Sequence, residues 1–224
     1  MNHHTATAIT PAIRLRTAEI FHSLQGEGLT SGCPTVFVRL SGCPLRCSYC
    51  DTRYAFSGGE WLEVDEILGR VAGLSARHVC VTGGEPLAQK GVDELLRALC
   101  DAAYRVSLET SGALAIDGVD PRVSRVMDLK TPGSGESARN LWRNLDLLTP
   151  RDQIKFVITD EEDYLWSRSQ LRERGLERIC EVLFSPACGA LEPVRLAEWI
   201  LRDRLPVRFQ LQLHKLLWGE EPGR

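Results

Sequence analysis

Residues 35–52 read TVFVRLSGCPLRCSYCDT. The opening six residues, with Val36, Phe37 and Val38, form a β-branched, apolar run suited to a buried strand. Gly42 breaks that run. Three cysteines then crowd into eight positions, Cys43-x3-Cys47-x2-Cys50. Thiols so close in sequence can converge on one metal centre with little chain entropy lost on closing the loop. Sulfur donors select iron–sulfur clusters, zinc or copper(I). A structural zinc site normally has four protein ligands. The local count stops at three, with Cys33 or Cys80 as a possible distant fourth. Three cysteines on a cubane cluster leave one iron open to a substrate or cofactor, unlike the four-cysteine clusters that only carry electrons. The triplet is read as the ligand set of such an open cluster, and a zinc loop is the alternative.

Outward from this loop, short β-like runs alternate with helix-like stretches. The runs fall at 35–40, 79–82, 106–109, 126–129, 154–158, 179–184 and 207–211. Val64, Ile67, Leu68, Val71 and Ala72 recur at helical spacing, as do Val92, Leu95, Leu96, Leu99 and Ala103. Further helices are expected over 138–147, 163–174 and 193–202. This alternation predicts a parallel sheet with helical crossovers. About seven strands in 224 residues fall short of the ~250 residues typical of an eightfold barrel. The expected fold is therefore α/β, an incomplete TIM-like β/α barrel. Residues 1–18, with His3 and His4, read as an N-terminal tail, 19–215 as the barrel domain and 216–224 as a C-terminal tail.

Unusual residues gather just after the runs: Gly42-Cys43, Gly83-Gly84-Glu85-Pro86, Glu109 to Gly112, Asp128-Leu129-Lys130, Ser185-Pro186 and Gln212 to Lys215. Parallel α/β folds carry their active sites at that end of the strands. The net charge of -3 gives no reason to expect a nucleic-acid partner. No apolar run approaches the roughly 18 residues of a membrane span. The first 13 residues lack the order of a signal peptide. A cytoplasmic protein is expected, and a reducing compartment argues against pairing the eight cysteines as disulfides. The five outside the triplet read as small buried apolar residues.

The triplet resembles the signature of the radical S-adenosylmethionine (SAM) superfamily. That resemblance implies a 4Fe-4S cluster whose open iron chelates SAM. It implies one-electron cleavage of SAM to a 5′-deoxyadenosyl radical that abstracts a substrate hydrogen. It also implies an electron donor such as flavodoxin or ferredoxin. Gly83, Gly84 and Glu85 resemble the superfamily's GGEP turn, at the methionine amine of SAM. Ser111, Asp128, Lys130 and Ser185 fall where further SAM contacts are expected, and Tyr49 near adenine. Each also has a plainer reading as a cap, a surface charge or a packed side chain.

Leu24-Gln25-Gly26-Glu27-Gly28, Arg39, Cys50-Asp51-Thr52, Thr82 to Pro86 and Gln212 to Lys215 together closely resemble the 7-carboxy-7-deazaguanine synthase family, over about residues 19–215. The resemblance implies conversion of 6-carboxy-5,6,7,8-tetrahydropterin to 7-carboxy-7-deazaguanine with release of ammonia, by a homodimer that regenerates SAM and uses Mg2+. Leu24, Gln25, Gly26 and Glu27 would read the pterin edge. Arg39 would hold its carboxylate through a planar fork. Thr82 and His214 would touch substrate, and Thr52 would ligate Mg2+. Arg39 within an apolar strand needs a partner, whereas His214 also reads as a satisfied core histidine. The chain departs from the common family pattern at Asp128-Leu129-Lys130, in place of Ser-Pro-Lys, at Ser185-Pro186, in place of Gln-Pro, and in a longer tail after Lys215. The runner-up reading is a glycyl-radical-enzyme activase, which shares the triplet but usually follows it with His-Asn-Pro. A zinc-stabilised interaction module is the non-enzyme alternative.

Overall fold

The computed structural model describes residues 12–219, 221 and 223. His3, His4 and Arg224 lie outside the described residues. Among the described residues one sheet contains β1 (Arg14–Leu24), β2 (Pro34–Leu40), β3 (Glu60–Glu63), β4 (His78–Gly83), β5 (Arg105–Thr110), β6 (Ser124–Asp128), β7 (Gln153–Ile158), β8 (Glu181–Pro186) and β9 (Arg208–Phe209). The helices are α1 (Val64–Gly73), α2 (Val92–Asp101), α3 (Glu161–Arg174), α4 (Pro193–Asp203) and α5 (Leu213–Trp218). The strand order is β3-β1-β2-β4-β5-β6-β7-β8-β9. From β2 to β9 all pairings are parallel, and these are the seven strands expected from sequence. The sheet does not close on itself, so the fold is a partial TIM-like barrel.

Alternation along the strands decides what each face carries. Val36, Val38 and Leu40 of β2, Val79 and Val81 of β4, Val106 and Leu108 of β5, and Ile154, Phe156 and Ile158 of β7 all belong to one buried apolar cluster. Leu95, Leu96 and Leu99 of α2 and Leu196, Trp199 and Ile200 of α4 pack into it. The intervening residues, Arg39, Thr82, Glu109, Asp128 and Lys155, line a cleft on the concave face. One period-2 pattern thus builds a dry outer layer and a charged interior.

Three sequence expectations are corrected. Residues 14–18 are not tail but the first half of β1, which pairs antiparallel with β2 and β3. A register shift between Thr17 and Glu19 interrupts its alternation and hides it from pattern reading. At the other end, α5 runs through position 215 to Trp218, so the C-terminal tail does not begin at 216. Residues 138–147 are not an α-helix but short 3-10 turns at Ser137–Arg139 and Trp142–Leu147. Two asparagines explain this. Asn140 accepts from Lys130 N at 2.8 Å and donates to Lys130 O at 2.8 Å. Asn144 donates to the carbonyls of Gly112 and Leu114. Side chains that bond distant backbone compete with the regular helix.

Beneath the sheet, fully buried Asp152 accepts from Arg125 Nη2 at 2.7 Å, Arg125 Nε at 3.1 Å and Arg125 N at 2.8 Å. It also accepts from Thr149 N and Oγ1. This pair ties β6 to the turn before β7.

Candidate active site

The cysteine loop leaves β2 and is pinned by groups other than its thiols. Ser48 N donates to Ser134 O at 3.0 Å and Ser48 Oγ to Gly133 O at 2.7 Å. Arg46 donates to the carbonyls of Cys43 and Leu45 and lies over the Phe56 ring at 4.3 Å. Cys43, Cys47 and Cys50 are half-buried and line the same cleft, of about 300 Å³. Burial pushes the Cys43 and Cys47 thiols up, and the Lys130 ammonium opposes that by favouring thiolate. Among the described residues, no three His, Cys, Asp or Glu side chains are gathered tightly enough to hold a metal ion.

Gly83 ends β4 and Gly84 follows it, directly beside this loop. A Cβ on Gly84 would lie 2.1 Å from Gly42 O and 2.9 Å from Cys43 Cβ. Only glycine lets the two loops touch, and Glu85 N donates to Gly42 O across the contact. Glu85 itself does not line the cleft. It is fully buried, accepting from Leu87 N at 3.0 Å, from Thr110 Oγ1 and from the backbone and hydroxyl of Ser111. Its side chain turns into the protein, so at this turn the cleft is lined by Gly83 and Gly84. Ser111 gives its hydroxyl proton to Glu85 and faces the cleft as an acceptor.

The residues expected at SAM come together on one side. Lys130 Nζ lies 2.9 Å from Asp128 Oδ2 and 5.7 Å from the Tyr49 ring centre. Asp128 Oδ1 and Tyr49 Oη are buried without a partner among the described residues, and both residues line the cleft. Burying unpaired polar atoms is costly. Here they face the place where a hydroxyl- and amine-bearing cofactor would sit. The cysteine thiols, the glycine backbone and these orphaned atoms fit a cluster-bound SAM. Ser185 lines the same cleft.

The residues expected at substrate line the same cleft. Arg39 and Thr82 are register partners on β2 and β4. Arg39 Nε pairs with Glu19 Oε1 at 2.7 Å, and Tyr54 Oη donates to the same oxygen at 2.7 Å. The guanidinium lies over Phe21 and Tyr54, and among the described residues no hydrogen bond engages its terminal nitrogens. Leu24 and Gln25 line the cleft, with Gln25 Oε1 accepting from Glu27 N at 3.2 Å. Gly26 is needed for packing: a Cβ there would lie 2.0 Å from His214 Nδ1. Burial lowers the His214 pKa below the ordinary histidine value, which favours a neutral ring.

Because β1 runs antiparallel to β2, the 24–28 loop starts beside Pro34, at the amino end of the parallel strands. From there it reaches the other end of the sheet order. Leu29 N donates to Gln153 Oε1 at 2.8 Å, Gly28 N to Gln210 Oε1 and Leu213 N to Gly26 O at 3.0 Å. Glu27 Oε2 meets Lys155 Nζ at 2.6 Å, and Gln212 Nε2 donates to Glu27 Oε1 at 2.8 Å. Burial favours the neutral acid, yet Lys155 and Gln212 hold the Glu27 pKa below the usual carboxylate range.

Thr52 lines the cleft and donates to Asp51 Oδ1 at 2.8 Å. Asp51 does support the loop, pairing with Lys215 Nζ at 3.2 Å. Against the effect of burial, Lys215, Thr52 and Gln212 bring its pKa down to about 2. Glu19, Tyr54, Asn140, Lys155, Gln153 and Gln210 were not anticipated from sequence. Lys155 gave the one usable signal, a lysine inside an otherwise apolar strand.

The partial barrel, with its three-cysteine loop at the cleft, is that of a radical SAM enzyme. A profile of the radical SAM superfamily matches residues 37–131. The 7-carboxy-7-deazaguanine synthase of Chlorobaculum tepidum is 49% identical over 92% of this chain and 96% of its own length. That of Koribacter versatilis is 40% identical over 92% of this chain and 98% of its own. The chain belongs to the 7-carboxy-7-deazaguanine synthase family. The crystal structure of QueE from Escherichia coli has a similar fold, with TM-score 0.73 and 24% identity over 90% of this chain and 95% of that one. Among the described residues, no helix is long and apolar enough to cross a membrane.

Proposed function

We propose that the cleft binds 6-carboxy-5,6,7,8-tetrahydropterin between Arg39 and Glu27, and that the protein contracts its ring to 7-carboxy-7-deazaguanine with release of ammonia. The observation that carries this reading is the meeting, in one cleft, of three cluster-type thiols with a guanidinium fork and a half-buried carboxylate. Cys43, Cys47 and Cys50 hold the 4Fe-4S cluster, and the backbone of Gly83 and Gly84 with Tyr49, Ser111, Asp128, Lys130 and Ser185 holds SAM. When bound, cluster and SAM supply one-electron, hydrogen-abstracting chemistry. The chain's own residues position the substrate and keep water out. Arg39 is fixed through Nε by Glu19, so its terminal nitrogens are oriented for the substrate carboxylate. Glu27, kept ionised by Lys155, accepts from the amino and ring N–H groups of the pterin. Thr82, His214 and the 24–26 segment complete the pocket. Thr52 offers a neutral oxygen to Mg2+, with Asp51 beside it. The protein works as a cytoplasmic homodimer supplied with electrons by a small redox protein such as flavodoxin or ferredoxin.

The direct test is an anaerobic assay with reconstituted cluster, reductant, SAM and 6-carboxytetrahydropterin. Formation of 7-carboxy-7-deazaguanine and ammonia is expected, and SAM cleavage with no such product would reject the reading. Arg39→Ala is expected to weaken pterin binding by about tenfold or more, on the scale of one charge-assisted pair, while SAM binding is unchanged. Unaltered pterin affinity would remove Arg39 from the substrate site. Thr52→Ala is expected to raise the Mg2+ concentration needed for half-maximal turnover, and an unshifted Mg2+ titration would exclude it as a ligand.

A further inference from the structure

Lys155 sits in the middle of β7 between Ile154 and Phe156, which point the other way into the apolar core. At 7% exposure it is a lysine that needs partners to remain in place. Carboxylates reach it from three separate parts of the chain. Glu27 Oε2 is at 2.6 Å, Glu109 Oε2 at 3.9 Å and Asp128 Oδ2 at 4.0 Å. Glu27 belongs to the loop after β1, Glu109 to β5 and Asp128 to β6, and all four side chains line the cleft. Asp128 also holds Lys130. Among the described residues, the contacts of Glu109 are the distant Lys155 ammonium and the Cys80 thiol at 3.9 Å, with the Arg39 charge acting on it from farther away. Burial raises the Glu109 pKa, Glu27 adds to that effect, and Lys155 opposes it. The group has one carboxylate more than it has ammonium ions, so acceptor oxygens face the cavity in excess of the donors that hold them.

We propose that Lys155 is a positioning residue of the ring-contraction reaction. It locks Glu27 and Glu109 into one acceptor wall for the N–H donors on the pyrimidine edge of the pterin, and joins that wall to Asp128 on the cofactor side. This inference rests on the reading of the cleft as a pterin site. A lysine that only neutralised buried acids would matter for folding but would not discriminate between ligands. Lys155 acts through the carboxylates, so its removal lowers most the affinity that depends on ligand N–H groups.

The test uses the full chain with reconstituted cluster and SAM, and measures equilibrium binding of 6-carboxypterin against 6-carboxylumazine. The second ligand has an oxo group where the first has the 2-amino group. The parent protein is expected to prefer the pterin by tenfold or more. Lys155→Met should abolish most of that preference with a smaller loss of SAM affinity, and Lys155→Arg should retain both. Should the methionine variant fail to fold, Lys155→Gln supplies the same comparison. In turnover, KM should rise more than kcat falls. An unchanged pterin preference in the neutral variant would overturn the proposal. A parent protein that cleaves SAM but binds neither ligand would show instead that the pterin reading has failed, and the role of Lys155 would fall with it.

Discussion

Replacing Cys43, Cys47 and Cys50 together with alanine should give a folded protein that assembles no cluster and cleaves no SAM. The thiols are the only protein ligands proposed for the cluster, so their loss removes its attachment. The loop should survive the change, because its shape depends on Ser48, Arg46 and the buried Leu45. Alanine in place of a half-buried cysteine removes little packing. Three measurements check this: iron and sulfide content after anaerobic reconstitution, 5′-deoxyadenosine formation, and the melting temperature. Activity should fall to background while the melting temperature of the metal-free protein stays within a few degrees of its parent. Iron and sulfide retained at parent levels in the triple variant would refute the assignment of the site.

The second large effect concerns stability. Asp152→Ala should destabilise the fold by about 3–5 kcal/mol, because it leaves the Arg125 guanidinium buried without its partner. Arg125 is 6% exposed and Asp152 fully buried, so solvent does not screen the loss. The pair also has a pH signature. Burial favours the neutral acid, but bonds from Arg125 and Thr149 leave the Asp152 pKa below its ordinary value. A carboxylate depressed in the folded state contributes stability above its unfolded value of about 3.9, and that contribution is lost as pH falls through the folded value. Urea unfolding at pH 7 and at stepwise lower pH checks both points. The variant should unfold at lower urea, and the gap from the parent should narrow in acid. A gap that widened toward low pH would contradict the argument.

The seven parallel strands were legible because each alternates apolar residues with a few polar ones in short, well-punctuated runs. The cysteine triplet and the Gly83-Gly84 turn were legible because spacing and composition are themselves the chemistry. What escaped reading depends on contacts between distant segments. Lys155 resembles a strand interruption until Glu27, 128 positions earlier, is seen beside it. Glu19 and Tyr54 have no local mark that ties them to Arg39. Asn140 and Asn144 sit in a stretch whose apolar spacing suits a helix, and only the carbonyls of residues 112, 114 and 130 show why it is not one. The bonds of Glu85 to Thr110 and Ser111 were not legible either, since sequence does not record which way a side chain turns.

The fastening of the 24–28 loop to residues near the end of the chain has a consequence for biosynthesis. Proteins emerge from the ribosome amino end first. The cysteine segment and its neighbouring strands are therefore complete well before Gln210, Gln212 and His214 are made. During translation the cysteine loop can form while the 24–28 loop still lacks its fastening. A chain that stopped before Gln210 would have its cysteine loop but not the fastening of the 24–28 loop.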